Sequence, residues 1–196
     1  MNVGDEKRLR VAAVVLAAGG STRMGQAKQL LPIEGQPMVR RVVQTVCGAG
    51  LAQVIVVLGA RAEAIVEALA GLPADVVVNE AWAAGLSTSV RAGLRALRPE
   101  IQAALMVLAD QPALSLAKFN KLVARYEATG VPIVAPFVEG RRGNPILFDR
   151  SLFDALAAVE GDRGGRELLR LYEEQVEKVE IDDAAILIDI DTPQDS

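Results

Sequence analysis

The sequence predicts a three-layer α/β domain with a mainly parallel central sheet. Apolar, β-branched runs alternate along the chain with segments whose apolar residues recur at helical spacing, and turn residues separate the two kinds of segment. This alternation is typical of strands joined by helical crossovers, which run parallel to one another. A chain of 196 residues can bury a full core. We therefore expect one domain over residues 11–196, preceded by a flexible, charged tail over residues 1–10.

The first half of the chain supplies four of the predicted strands and three of the helices. The strands are expected at residues 11–17, 53–58, 75–79 and 103–109, where apolar and β-branched residues cluster. The helices are expected at residues 38–49, 61–70 and 87–97, with a turn at residues 32–37. Gly71 and Pro73 end the second helix, and Ser87 is the predicted N-cap of the third.

The second half follows a looser pattern. Helices are predicted at residues 115–129, 152–159 and 165–174, and strands at residues 132–136, 146–148, 175–181 and 186–190. Residues 137–145 are rich in glycine and arginine and read as a loop or hairpin arm. We find no repeat, low-complexity segment or internal linker in the sequence.

Composition excludes several classes of function. The net charge is −4 and only 4% of residues are aromatic, whereas a nucleic-acid binder needs basic charge and stacking rings. Histidine is absent, which excludes histidine acid–base chemistry and histidine metal sites. The single cysteine excludes an internal disulfide, and no apolar run approaches the roughly 20 residues of a membrane span. We expect a cytoplasmic protein without a membrane partner.

The most informative stretch is residues 14–28, where an apolar strand passes into a Gly/Ser/Thr loop with two cations, Arg23 and Lys28. Glycines let backbone N–H groups approach a ligand closely, and a row of such groups binds anions. The P-loop pattern fails because Gln26 follows Gly25, and the dinucleotide fingerprint fails because Gly19 and Gly20 are adjacent. A polyphosphate site is the functional interpretation, and a structural strand-to-helix turn is the alternative.

Carboxylates at two predicted strand ends are candidate metal ligands. Asp110 follows a buried strand, at the edge where open α/β sheets bind ligands. Mg²⁺ prefers one or two carboxylates together with phosphate and water, so Asp110 could hold it against a polyphosphate. The alternative is an aspartate that starts a turn before Pro112. Asp189 and Asp191 point to opposite faces of a strand, and spacing alone does not choose between them.

Three further segments combine polar side chains with glycine. Residues 85–89 open a helix with three hydroxyls that could bind a base or ribose, and Asn79 and Trp82 precede it. We interpret Trp82 as a packing residue. Residues 141–144 and 162–166 are Gly/Arg loops, which are either solvated surface loops or part of a site for an anionic substrate.

Taken together, these segments resemble the nucleoside-triphosphate transferase family, and within it most closely the molybdenum cofactor cytidylyltransferases. The segments that carry the resemblance are residues 16–28, 30–32, 85–94, 108–112, 142–145, 161–166 and 189–193. The family commonly has histidine where this chain has Asn144, a departure that concerns the acceptor rather than the chemistry.

The resemblance implies a Rossmann-like nucleotidyltransferase fold with the nucleotide over the carboxyl edge of the sheet. Arg23, Lys28 and Asp110 would be catalytic, and Asp110 and Asp191 would bind Mg²⁺ or Mn²⁺. The nucleotide would contact Leu16, Ala17, Ala18, Gly19, Gly20, Ser21, Arg23, Lys28, Asn79, Gly85, Ser87 and Ser89. A phosphorylated pterin-type acceptor would contact Arg142, Gly143, Asn144, Asp162, Gly164 and Arg166.

The expected reaction is transfer of CMP from CTP to the phosphate of molybdopterin, with release of pyrophosphate. Guanylyl-transferring relatives tend to have glycine where this chain has Ala18, and the extra methyl is consistent with a smaller pyrimidine base. The alternatives are a GTP-dependent guanylyltransferase, a transferase acting on a sugar phosphate or methylerythritol phosphate, and a non-catalytic nucleotide-binding accessory protein. A molybdenum hydroxylase is a partner suggested by family context alone, and the sequence does not give the oligomeric state.

Overall fold

The computed structural model describes residues 10–20, 27–161 and 169–187, and these residues form an α/β fold around one large sheet. Its strands are β1 (Val11–Ala17), β2 (Pro32–Ile33), β3 (Gln36–Pro37), β4 (Gln53–Leu58), β5 (Asp75–Val78), β6 (Ala103–Leu108), β7 (Ile133–Val138), β8 (Arg141–Arg142), β9 (Ile146–Asp149) and β10 (Val176–Glu180). Its helices are α1 (Met38–Cys47), α2 (Ala62–Ala68), α3 (Leu86–Arg95), α4 (Leu116–Thr129) and α5 (Phe153–Ala158).

The main sheet is mostly parallel, as predicted. Its strand order is β10-β7-β9-β6-β1-β4-β5, with β8 paired to β7. The pairs β1–β4, β1–β6, β4–β5 and β7–β10 are parallel, and β9 runs antiparallel between β6 and β7. The predicted arm after β7 is a hairpin with β8, and the predicted turn at residues 32–37 is the small β2–β3 hairpin.

Helices cover both faces of the sheet, which confirms the predicted three layers. On one face, Ala13 and Val15 of β1 pack with residues of α1, α2 and α4. On the other face, Val14 and Leu16 pack with residues of α3 and α5. All seven residues of β1 are buried, because the strand has a neighbour on each edge and helices on each face.

Two predicted local features are wrong. Residues 184–187 form a short 3-10 helix rather than the start of a strand, because Ile186 is buried by packing on Gly143 instead of pairing with the sheet. The rest of that predicted strand, residues 188–190, lies outside the described residues. The N-cap of α3 is Gly85 rather than Ser87, and Ser87 is a buried residue inside the first turn.

Helix α3 packs unusually close to the sheet at Gly93. A Cβ atom on Gly93 would lie 2.3 Å from Val14 Cγ1 and 3.1 Å from Val57 Cγ2. The missing side chain therefore sets the distance between α3 and the two strands below it, β1 and β4.

We expect Gly93→Ala to destabilise the protein by about 1–3 kcal/mol, since overlap with Val14 outweighs the gain of about 1 kcal/mol in helix propensity. Urea unfolding measures the change. The double variant Gly93→Ala/Val14→Ala is the control: removing Val14 Cγ1 should recover part of the loss, giving a favourable coupling energy. Simple additivity of the two single variants would contradict the close-packing explanation.

A hydrogen bond ties α4 to the end of β9. The buried Tyr126 hydroxyl donates to the Asp149 carboxylate, which also accepts from the Ser151 backbone N–H at 2.8 Å. Burial acts to raise the pKa of Asp149, but the hydrogen bonds from Tyr126 and Ser151 outweigh it, so this pKa lies below its usual value. The ionised carboxylate therefore stabilises the fold above the ordinary aspartate pKa of about 3.9 and loses this contribution as the pH falls through the lowered value.

We expect Tyr126→Phe to lower the free energy of unfolding by about 1.5 kcal/mol at neutral pH, because a hydrogen bond to a charged group is lost. The difference from wild type should shrink as the pH falls from about 4, where the unfolded-state aspartate takes up a proton, through the lowered pKa of Asp149 in the folded protein. Urea titrations across this pH range measure both effects, with Tyr172→Phe as the matched control. A loss that is independent of pH would contradict the role of the ionised Asp149.

Candidate nucleotidyl-transfer site

The candidate site lies at the carboxyl edge of the sheet, where β1 and β6 end side by side. Leu16 of β1 is in register with Leu108 of β6, and the Ala109 N–H donates to the Leu16 carbonyl at 3.2 Å. The glycine loop after β1 and the Asp110 turn after β6 therefore start next to each other. The parallel ladder thus joins two motifs that are far apart in sequence.

Lys28 and Asp110 form an ion pair at this edge. Lys28 Nζ lies 3.0 Å from Asp110 Oδ2, and the two side chains are 13% and 32% exposed. Lys28 belongs to the short 3-10 helix Lys28–Leu30, which follows the glycine loop. Two predicted catalytic residues are therefore in direct contact, partly shielded from water, where charge interactions are stronger than at an open surface.

Gln29 anchors this arrangement. Its buried side-chain amide donates to the carbonyls of Ala17 at 3.1 Å and Gly19 at 2.7 Å, so it clamps the start of the glycine loop from below. Because Gln29 follows Lys28 directly, the clamp also holds the lysine backbone near the end of β1. Gln29 is not among the residues predicted from the sequence, where its only signal is a polar residue directly before the apolar pair Leu30 and Leu31.

Trp82 packs against the glycines of two strand ends. A Cβ atom on Gly20 would lie 2.7 Å from the indole, and one on Gly59, after β4, would lie 2.5 Å from Trp82 Cβ. The indole is half-buried and rests on backbone at both positions. The predicted packing role of Trp82 is therefore confirmed, and Gly20 and Gly59 are required for this close approach.

The polar residues around the start of α3 bond mainly to one another. The Asn79 amide donates to Thr88 Oγ1 at 2.8 Å and to Ser89 Oγ at 3.0 Å, and its carbonyl oxygen accepts from the Ala81 N–H at 3.1 Å. Asn79, Ser87 and Ser89 are all buried. This network joins the end of β5 to α3 and fixes the helix beside β1, while a direct contact of these side chains with a nucleotide stays a prediction.

Of the predicted acceptor residues, the structure describes Arg142, Gly143 and Asn144, which differ in exposure. Arg142 is exposed on β8 and lines an open pocket, and Asn144 is half-buried next to it. Gly143 is buried under the C-terminal segment, since a Cβ atom there would lie 2.8 Å from the Ile186 carbonyl oxygen. The predicted residues that lie outside the described part of the chain are Ser21, Arg23, Asp162, Gly164, Arg166, Asp189 and Asp191.

A buried cation fastens the Asp110 turn to the chain beyond β10. The side chain of Lys118, in the first turn of α4, is 7% exposed, and its Nζ lies 2.7 Å from Asp183 Oδ2. The same Nζ donates to the Ala113 carbonyl at 2.8 Å. Burial and the positive end of the helix both disfavour a cation here, so these two contacts are what make its position stable.

Among the described residues, no three histidine, cysteine or acidic side chains come together as a metal cluster. Asp110 is the predicted metal ligand that the structure describes, and its carboxylate sits beside a glycine loop and a lysine. One carboxylate in this setting fits Mg²⁺, whose other ligands are then phosphate oxygens and water.

Comparison with known proteins identifies the family. Residues 13–179 match the MobA-like NTP transferase domain. The chain belongs to this family. It is 33% identical to nicotine blue oxidoreductase of Paenarthrobacter nicotinovorans over 97% of this chain and 96% of that protein. It is 28% identical to the molybdenum cofactor cytidylyltransferase of Escherichia coli K12, over 94% and 93% of the two chains.

Among solved structures, that of Rv0371c from Mycobacterium tuberculosis in complex with manganese superposes with a TM-score of 0.82. The two chains are 31% identical, and the match covers 95% of each. The predicted family and its Rossmann-like α/β fold are therefore confirmed for this NTP transferase. Within its described residues, no helix has the length and apolar character needed to cross a membrane.

Proposed function

We propose that this NTP transferase moves CMP from CTP to the phosphate of a molybdopterin-type acceptor and releases pyrophosphate, with Mg²⁺ as cofactor. The observation that carries the proposal is the contact of Lys28 with Asp110 at the end of the glycine loop. A lysine and a carboxylate next to a glycine-rich loop can bind a nucleoside triphosphate with its divalent ion: the lysine and the loop N–H groups contact the phosphates, and the carboxylate binds the ion. Similarity to a molybdenum cofactor cytidylyltransferase supports the choice of base and acceptor.

In this reaction, an oxygen of the acceptor phosphate attacks the α-phosphorus in line. The new O–P bond forms while the bond from the α-phosphorus to the pyrophosphate oxygen breaks, and pyrophosphate leaves with the electron pair. A phosphate nucleophile is already ionised, so no general base is needed, which agrees with a chain that contains no histidine.

Catalysis would therefore consist of positioning and charge neutralisation. Lys28 neutralises charge on the triphosphate, and Arg23 and the loop amides add to this. Asp110 would hold Mg²⁺ together with Asp191, and the ion supplies charge stabilisation on the phosphate oxygens. The manganese complex of Rv0371c supports the use of a divalent ion. Delivery of the product to a molybdenum hydroxylase is a further part of the proposal.

The relative named as an oxidoreductase makes redox chemistry the competing class. The two classes differ in their cosubstrate, since a hydride transfer needs a nicotinamide or flavin and a nucleotidyl transfer needs a triphosphate. A thermal-shift panel of CTP, GTP, ATP, UTP, NADH and NADPH, each with Mg²⁺, distinguishes them. Stabilisation by NADH with none by any triphosphate would contradict the proposal.

We expect Lys28→Ala to reduce acceptor-dependent pyrophosphate release at least about a hundredfold, because a transition-state charge contact is lost. The protein should stay folded, since Asp110 is 32% exposed and keeps access to water after its partner is removed; the melting temperature checks this. Arg95→Ala, which removes an exposed cation at the far end of α3, is the matched control. Wild-type turnover in Lys28→Ala would refute this mechanism.

We expect Ala18→Gly to raise turnover with GTP relative to CTP several-fold, because loss of the methyl group leaves more room beside the base. Ala18 is 5% exposed, so its methyl group fills space at the mouth of the loop. The ratio of kcat/KM for the two triphosphates measures the effect, with ATP and UTP as controls. An unchanged GTP to CTP ratio would assign base choice to other residues.

A further inference from the structure

A pocket of about 330 Å³ lies beside the transfer site, on the face of the sheet that α3 and α5 cover. Residues of β7, β10 and the β7–β8 hairpin contribute to its lining. The residues that line it are Phe137, Gly140, Arg142, Leu169, Arg170, Glu173, Val176 and Lys178. Of these, only Arg142 was expected to bind the acceptor.

The strand register locates this pocket relative to Asp110. Leu147 of β9 is opposite both Val134 of β7 and Leu105 of β6, so these two residues are at the same level. Three residues further on, Phe137 is therefore level with Leu108, two positions before Asp110. With β9 between β6 and β7, the Phe137 end of the pocket lies roughly 10 Å across the sheet from Leu108, and Lys178, which pairs with Ala135 on the next strand, lies further from Asp110.

Phe137 and Leu108 also belong to the same face of the sheet as Leu16 at the end of β1. The pocket and the last residues of β1 and β6 therefore lie on the same face of the sheet. An acceptor bound in the pocket would have to reach past β9 to bring its phosphate to Asp110.

The lining selects a ligand by charge and by hydrogen bonding. Arg142, Arg170 and Lys178 are cations, so the pocket attracts an anion. Lys178 Nζ lies 5.2 Å from the centre of the Phe137 ring, a cation–π contact that holds the ammonium over an apolar wall. Glu173 adds one carboxylate, which accepts hydrogen bonds from a ligand with adjacent N–H donors.

We propose that this pocket binds the non-reacting end of the acceptor, an anionic heterocycle with an N–H donor edge of the pterin kind. Arg170 and Lys178 contact its negative charge, Glu173 accepts from its donor edge, and Phe137 forms the apolar wall. The assignment of this ligand as the acceptor rests on the proposed nucleotidyl transfer. The binding itself does not, because it needs neither nucleotide nor metal.

The test uses 6-carboxypterin, a fluorescent anionic pterin, titrated with the full chain in the absence of CTP and Mg²⁺. We expect Lys178→Met and Arg170→Met each to weaken binding about tenfold, and Glu173→Gln to weaken it to a similar extent. Arg95→Met removes a cation outside the pocket and should bind as the wild type does. With CTP and a phosphorylated pterin acceptor, the same pocket variants should raise the KM for the acceptor and leave the KM for CTP unchanged.

Failure of the wild type to bind 6-carboxypterin, or equal binding by wild type and all three pocket variants, would overturn the pocket assignment. A wild-type protein that binds the pterin through the pocket but releases no pyrophosphate from CTP would keep the pocket and reject the transfer reaction. Pyrophosphate release with an unaltered acceptor KM in the variants would keep the reaction and reject the pocket as the binding site of the acceptor.

Discussion

The burial of β1 on both faces and both edges is the constraint on which the site depends. Its register with β6 brings the glycine loop next to the Asp110 turn, and its register with β4 brings Gly59 next to the same loop. Any shift of one residue would turn the apolar residues of β1 toward the wrong helical layer. Close contact with Gly93 of α3 adds a second restraint, since the strand cannot move toward that helix.

Around β1, direct hydrogen bonds and ion pairs fix the positions of the charged residues Lys28, Asp110 and Lys118. Gln29 clamps the glycine loop to the end of β1, which holds Lys28 within 3.0 Å of Asp110. Lys118 fastens the chain after Asp110 to Asp183, and the short helix beyond Asp183 packs on the hairpin through Ile186. Direct contacts therefore join the Asp110 turn, the segment around Asp183 and Ile186, and the β7–β8 hairpin.

Much of the fold could be predicted from the sequence because the buried strands are continuous apolar runs and the helices have clear periodicity. Asp110 could be found for the same reason, since it directly follows one of these continuous apolar runs. The prediction of a strand from residue 186 was wrong because Ile186 is buried by its contact with Gly143, within a short 3-10 helix, and not by pairing with a strand. Ser87 was a reasonable cap by residue type, but backbone geometry gave that position to Gly85, whose φ is 114°.

Other parts of the site have no local signature. The role of Gln29 depends on its hydrogen bonds to the carbonyls of Ala17 and Gly19, and sequence spacing does not reveal these partners. The pocket residues Phe137, Arg170 and Lys178 come from three separate segments that meet only because β7 and β10 pair at the edge of the sheet. Charged residues at such positions are usually read as ordinary surface residues, so their convergence is visible only in three dimensions.

Trp82 is the sole tryptophan in the chain, and it rests on the two glycines that flank the mouth of the loop. The emission of an indole depends on the polarity and rigidity of its surroundings. Trp82 is therefore an intrinsic optical reporter of the packing around Gly20 and Gly59. Under the proposed function, nucleotide binding at this loop would change the surroundings of the indole, and its fluorescence would report that binding in the unmodified chain.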